Sequence, residues 1–68
     1  MNEIKIEGEY IKLGQLLKVS GICSSGTEAK YIINEGKVLL NGEIEKQRGR
    51  KLIKNDIIKV NEETIKIL

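Results

Sequence analysis

The chain has 68 residues, of which 40% are hydrophobic and 32% charged, and its formal net charge is +2. This length predicts a single domain over residues 1–68 with a thin core. Without histidine and with one cysteine, the chain lacks the usual groups for acid–base catalysis, a zinc site or an internal disulfide. We therefore expect no enzyme, metal, cofactor or small-molecule substrate. With no apolar run of about 20 residues and no signal-peptide pattern, we expect a cytoplasmic protein without a membrane partner.

The first part of the chain predicts a strand followed by a short helix. Apolar and polar residues alternate over residues 2–6, which is typical of a strand, and Gly8 ends it. A helix is expected over about residues 12–20, ended by Gly21. Its buried side is predicted by three leucines that recur at the spacing of one helix face: Leu13, Leu16 and Leu17.

A second helix is predicted over about residues 26–35. Ser25 and Glu28 form the Ser-x-x-Glu pattern of a capping box, in which each side chain bonds the backbone N–H group of the other residue. Gly36 ends this helix. Its buried side is expected to contain Ala29, Ile32 and Ile33.

The remaining chain predicts a β-sheet. Asn41-Gly42 is the strongest two-residue signal for a β-hairpin, because both turn positions require positive φ. Short strands are expected at residues 38–40, 43–45, 57–60 and 64–68. The order of elements predicts an α+β fold, in which a two-helix hairpin packs on a small antiparallel β-sheet.

Positive charge is concentrated in the middle of the chain. Residues 12–54 carry nine basic and four acidic side chains, whereas the rest carries three basic and six acidic ones. Residues 46–54 hold five basic side chains and no acidic one, and they include the only two arginines, Arg48 and Arg50. Arginine bonds phosphate through two N–H groups at once, so this basic loop is a candidate site for nucleic acid. A solvated loop without a partner is the alternative.

The spacing of residues 12–42 resembles the S4 RNA-binding domain, also called the alpha-L motif. In that family the first helix opens with Arg-Leu-Asp, the second with Ser-Arg-x-x-Ala, and the motif closes with Gly-x-Val-x-Val-Asn-Gly. Here the matching stretches are Lys12-Leu13-Gly14, Ser25-Gly26-Thr27-Glu28-Ala29 and Gly36-Lys37-Val38-Leu39-Leu40-Asn41-Gly42. Asn55-Asp56-Ile57-Ile58 is similar to the Gly-Asp-x-Ile that follows in the family, so the resemblance covers about residues 12–60.

The chain departs from the family pattern at two positions. Gly14 stands where the family has aspartate, and Gly26 stands where it has arginine, so contacts of those two side chains do not carry over. The second-helix opening and the later Arg48-Gly49-Arg50-Lys51 are similar to one branch, the small stand-alone proteins of the YaaA and YbcJ type. The resemblance implies a bacterial cytoplasmic protein that binds structured RNA, most simply ribosomal RNA or a ribosome precursor, beside ribosomal proteins.

We expect such binding to use phosphate contacts and shape. The first turn of the second helix would present free N–H groups to one phosphate, and the basic loop would clamp a second one. Scarce aromatic residues disfavour stacking on single strands. The predicted RNA-binding residues are Lys12, Gln15, Lys18, Ser25, Gly26, Thr27, Lys30, Lys37, Asn41, Arg48, Arg50 and Lys51.

Two alternatives stay open at this point. Ser25 and Glu28 could serve only as a helix cap, and Asn41 could serve mainly as a turn residue. The protein could also be a protein–protein adaptor, which would dock a partner at the sheet edge or at an acidic patch formed by Glu3, Glu7, Glu9, Glu62 and Glu63.

Overall fold

Two short helices lie between the first strands and the main run of strands. The computed structural model describes residues 2–68, so Met1, the first residue of the predicted domain, lies outside the described residues. In chain order the elements are β1 (Asn2–Ile4), β2 (Ile11–Lys12), α1 (Leu13–Val19), α2 (Gly26–Asn34), β3 (Val38–Leu40), β4 (Glu43–Ile44), β5 (Lys51–Leu52), β6 (Ile57–Val60) and β7 (Glu63–Ile67). The predicted α+β arrangement of a helical pair with a small sheet is confirmed.

The main sheet has the strand order β1-β7-β6-β3-β4. Neighbouring strands are antiparallel, as predicted, except that β1 pairs with β7 in parallel, with Ile4 opposite Ile67. The sheet is therefore mixed at this edge, because β1 comes from the far end of the chain and no tight turn fixes its direction.

A second, two-stranded sheet was not predicted. β2 pairs antiparallel with β5, with Ile11 opposite Leu52 and Lys12 opposite Lys51. The segment expected as one basic loop therefore contains a strand whose Leu52 is fully buried. Two-residue strands are too short to show the alternation that identifies a strand, and their partners lie about forty residues apart in the sequence.

The core lies between the helices and one face of the main sheet. Every second residue of β3, β6 and β7 points into it, so that Leu40, Ile58 and Ile65 lie side by side across the strands. The helices contribute Leu13, Leu16, Leu17, Ala29 and Ile33. Ile32, expected in the core, is only half-buried and packs at its edge. Full burial of each large side chain contributes about 1.5–3 kcal/mol, which fixes the helices on this face.

Glycines end both helices as predicted. Gly21 has φ +83° and Gly36 has φ +72°, a left-handed conformation that glycine adopts at little cost. The N–H group of Gly21 donates to the Lys18 carbonyl oxygen at 3.1 Å, and that of Gly36 donates to Ile33 at 3.1 Å. These bonds satisfy carbonyl groups at the helix ends and turn the chain, so that the start of α2 comes close to the start of α1.

Candidate nucleic-acid interface

An open basic cleft lies where the starts of α1 and α2 meet the loop between β4 and β5. Its lining residues are Lys12, Gly14, Gln15, Lys18, Gly26, Arg48 and Gly49. Three of these carry a positive charge and none carries a negative one. The structure therefore brings together five of the residues predicted to bind RNA, and it adds two glycines. We call this site the basic cleft.

The loop after β4 is tied to the start of α1 by backbone hydrogen bonds. The N–H group of Leu13 donates to the Arg50 carbonyl oxygen at 2.9 Å, and that of Gly14 donates to the Arg48 carbonyl oxygen at 3.0 Å. These are N–H groups of the first helical turn, which have no acceptor within the helix. The loop satisfies them, so the start of α1 holds Arg48 in the basic cleft.

The start of α2 forms another wall of the cleft. Its N-cap, Ser25, accepts a hydrogen bond from the N–H group of Glu28 at 3.2 Å, as the capping box predicts. The second bond of the capping box, from the Ser25 N–H group to the Glu28 side chain, is replaced. The Glu28 carboxylate accepts instead from the Ser24 hydroxyl at 2.9 Å. The N–H groups of Gly26 and Thr27 donate to no acceptor among residues 2–68. They remain available to an anion.

Two other predicted residues on α2 lie outside the cleft lining. Thr27 and Lys30 are exposed, and Lys30 lies just over one turn beyond Gly26. Lys37 follows the helix and places its Nζ atom 6.0 Å from the centre of the Tyr31 ring, at the outer limit of a cation–π contact. Lys30 and Lys37 extend positive charge along and beyond α2, but neither lines the cleft.

The predicted clamp of Arg48, Arg50 and Lys51 does not form a single cluster. Arg48 lines the basic cleft, whereas Arg50 lies in a second cleft and pairs with Glu45 at 3.4 Å. Lys51 turns towards Tyr10, with its Nζ atom 4.8 Å from the ring centre. Arg48 and Arg50 lie in and at the end of a turn closed by the Arg50 N–H group, which donates to the Gln47 carbonyl oxygen at 3.1 Å. Lys51 begins β5, so the chain changes direction between these side chains.

Asn41 is occupied by contacts within the fold. Its side-chain Nδ2 donates to Asp56 Oδ1 at 3.0 Å, and its Oδ1 accepts from the N–H group of Ile57 at 2.9 Å. The other carboxylate oxygen of Asp56 accepts from the N–H group of Ile53 at 2.9 Å. Asn41 therefore joins the β3–β4 turn to the β5–β6 loop, which is the turn role that the sequence favoured.

Cys23 lies two residues before the N-cap of α2 and is 3% exposed. Burial raises the pKa of its thiol, and the nearby negative charge of Glu28 raises it further. A thiol in this state is a poor nucleophile. Cys23 therefore packs as a small apolar residue in the core.

Comparison with known proteins agrees with the fold described above. A family model for the S4 domain matches residues 4–68. The chain belongs to the S4 domain family. The family assignment made from the sequence is thereby confirmed, and the match extends beyond the predicted residues 12–60 to include Ile4 at the end of β1 and all of β7.

Several proteins related to this S4 domain have names or structures that bear on it. Over 59 residues it is 42% identical to the probable ribosome maturation protein RlbA of Bacillus subtilis strain 168, covering 87% of this chain and 83% of RlbA. The solution structure of YbcJ from E. coli, described as an alphaL motif involved in RNA-binding, matches with a TM-score of 0.77 and 25% identity. That match covers 100% of this chain and 87% of YbcJ.

A more distant likeness is one of fold. The 30S ribosomal protein S4e from Thermoplasma acidophilum matches with a TM-score of 0.64 and 21% identity, covering 85% of this chain and 31% of the S4e chain. Among residues 2–68 of this S4 domain, no helix is both long and apolar enough to span a membrane.

Sequence reasoning missed two features of the site in this S4 domain. Gly14 stands out in the sequence only as a departure from the family pattern, yet it lies in the cleft beneath Arg48. The pairing of β2 with β5, which brings Lys51 over Tyr10, was not foreseen either. The available signal was the coincidence of a small residue at position 14 with an arginine in the later loop, which becomes informative only when the two are known to touch.

Proposed function

We propose that this chain, as a single S4-like domain over residues 1–68, binds structured RNA and acts by binding and not by catalysis. The basic cleft carries this proposal, because Lys12, Lys18 and Arg48 converge there without a carboxylate. The RNA we propose is ribosomal RNA or a ribosome precursor. The same role places the protein in the cytoplasm, in company with ribosomal proteins.

The chemistry of the cleft suits the phosphate backbone. Arg48 can offer two N–H groups to one phosphate, the lysines act as point charges, and the free N–H groups of Gly26 and Thr27 lie at the positive end of α2. Such contacts hold and orient a nucleic acid but carry little sequence information. Folded RNA recognised by shape is therefore the ligand we propose.

The relatives support the ribosomal part of the proposal. RlbA is named a probable ribosome maturation protein, and its identity of 42% extends over most of both chains. YbcJ shares the whole fold and is described as having a motif involved in RNA-binding. A ribosomal RNA segment present during maturation is the ligand class that joins both descriptions.

Fluorescence anisotropy of ribosomal RNA fragments and a single-stranded control, at low and near-physiological salt, tests this function. We expect salt-sensitive binding that favours the folded fragments. Lys12→Ala/Lys18→Ala should weaken binding and reduce the slope of log K against log salt by about two, since about one counterion is released per phosphate contact.

A matched control comes from the opposite face of the main sheet. Lys59→Ala/Lys66→Ala removes the same charge from strand positions that alternate with the buried residues of β6 and β7, so RNA affinity should stay near wild type. Equal losses in both double variants would show that net charge alone drives binding. Absence of binding at low salt, together with a protein partner that survives nuclease treatment, would favour the adaptor function.

A further inference from the structure

The side chain of Arg48 lies across Gly14. A Cβ atom added to Gly14 would stand 2.5 Å from Cγ of Arg48, which is closer than such atoms approach one another, and 3.1 Å from Cδ, which is a tight contact. The same Cβ would be 3.5 Å from the Arg48 carbonyl oxygen, an ordinary contact. Any side chain at position 14 therefore displaces the aliphatic stem of Arg48 and leaves the backbone of the loop in place.

We propose that Gly14 is a positioning residue for RNA binding: the absence of its side chain lets Arg48 lie over the start of α1 and deliver its charge to the basic cleft. This inference rests on the proposed function and deepens it. It gives two of the three glycines at the cleft separate roles, since a Cβ on Gly26 would meet nothing within 4 Å. The absence of a side chain at Gly26 keeps the cleft open at the start of α2, and its absence at Gly14 makes room for Arg48.

Arg48 is the arginine available for this role. Arg50 pairs with Glu45, whereas Arg48 makes no ion pair among residues 2–68. Its backbone is also fixed, because its carbonyl oxygen accepts from the N–H group of Gly14 at 3.0 Å. Gly14 thus positions Arg48 in two ways. Its N–H group bonds the Arg48 carbonyl oxygen, and its lack of a side chain leaves room for the Arg48 stem over its Cα atom. A fixed stem leaves less conformational entropy to be lost when a phosphate binds.

A double-mutant cycle tests the coupling. Arg48→Ala should weaken binding to folded ribosomal RNA about tenfold and reduce the salt slope by about one. Gly14→Ala should weaken binding although it removes no charge. In the Arg48→Ala background, Gly14→Ala should have no further effect, because its only expected action is through the arginine. Additive losses, or wild-type affinity in Gly14→Ala, would overturn the proposal.

Stability separates this role from simple damage to the fold. Gly14 lies inside α1 and has no positive φ, so alanine gains about 1 kcal/mol of helix propensity, which offsets the cost of moving the Arg48 stem. The melting temperature should therefore change little while RNA affinity falls. A lower melting temperature combined with weaker binding would instead indicate a structural role and would overturn the inference. Lys59→Ala again serves as the control and should bind RNA like wild type.

NMR of the free protein gives a readout that needs no RNA. Nuclear Overhauser contacts between the Gly14 Hα protons and the Arg48 Hγ protons should be present in wild type, and the Arg48 Nε–H resonance should shift in Gly14→Ala. If these hold but no RNA binds, the proposed function fails while the positioning of Arg48 survives. If RNA binds and the contacts are absent, the positioning of Arg48 fails and the proposed function survives.

Discussion

Replacing Asn41 tests how the closing turn of the motif is held. Its amide makes two hydrogen bonds, with Asp56 at 3.0 Å and with the N–H group of Ile57 at 2.9 Å. Its backbone has φ +51°, and Gly42 beside it has φ +89°. Asn41→Ala removes both side-chain bonds and places a Cβ-bearing residue without a stabilising amide in the left-handed region. Asn41→Gly removes the bonds but adopts the same φ freely.

The contacts give the size of the expected effect. Both bonds are exposed to water, so their combined loss should cost about 1 kcal/mol, at the low end for two hydrogen bonds. Left-handed backbone costs alanine about 1 kcal/mol more. We therefore expect Asn41→Ala to lower the free energy of unfolding by about 2 kcal/mol and Asn41→Gly by about half as much. In a domain of this size, 2 kcal/mol lowers the melting temperature by roughly 10 °C.

Urea and thermal unfolding followed by circular dichroism measure these differences. Losses of less than about 0.5 kcal/mol in both variants, the range of ordinary surface substitutions, would refute the roles given to the Asn41 amide and its positive φ. Equal losses in the alanine and glycine variants would show that φ contributes nothing. RNA affinity of Asn41→Gly, measured well below its melting temperature, should match wild type, because the Nδ2 and Oδ1 atoms of Asn41 are both bonded within the fold. A selective loss of affinity would restore Asn41 to the RNA-contacting residues.

Two further predictions concern the start of α2. Ser25→Ala should lower the free energy of unfolding by about 1 kcal/mol through loss of the cap, and Ser25→Asp should keep most of the wild-type stability because aspartate also caps helices. If RNA affinity is unchanged in the folded alanine variant, Ser25 acts only as a cap. The Cys23 thiol, buried and with a raised pKa, should react slowly with a disulfide reagent at neutral pH and rapidly in urea. Rapid reaction of the native protein would contradict its placement.

Most elements of the fold could be predicted because their signals are local. The leucine spacing of α1, the cap at Ser25 and the terminating glycines each depend on residues within one or two turns. The Asn41-Gly42 turn is equally local, and β6 begins and ends at the predicted residues. Helix boundaries differ by one residue at the affected ends, since end residues are half inside the helix.

The candidate site was only partly predictable. Sequence charge identified Lys12, Lys18 and Arg48 as candidates, and the structure places them in one cleft. The same reasoning grouped Arg50 with Arg48, because neighbours in sequence were assumed to share a surface. The backbone hydrogen bonds that tie this loop to the start of α1, and the ion pair of Arg50 with Glu45, place the two arginines in different clefts. No local pattern contains that information.

The amino-acid sequence by itself determined the two helices with their apolar faces, the strands of the main sheet and the excess of positive charge in the middle of the chain. Tertiary structure alone decided that β1 lies parallel to β7, that β5 returns to β2, and that Arg48 crosses Gly14. The physical reason is the range of the interactions. Periodicity, caps and turns act between near neighbours, whereas these three contacts join residues more than thirty positions apart, and only packing of the whole core brings them together.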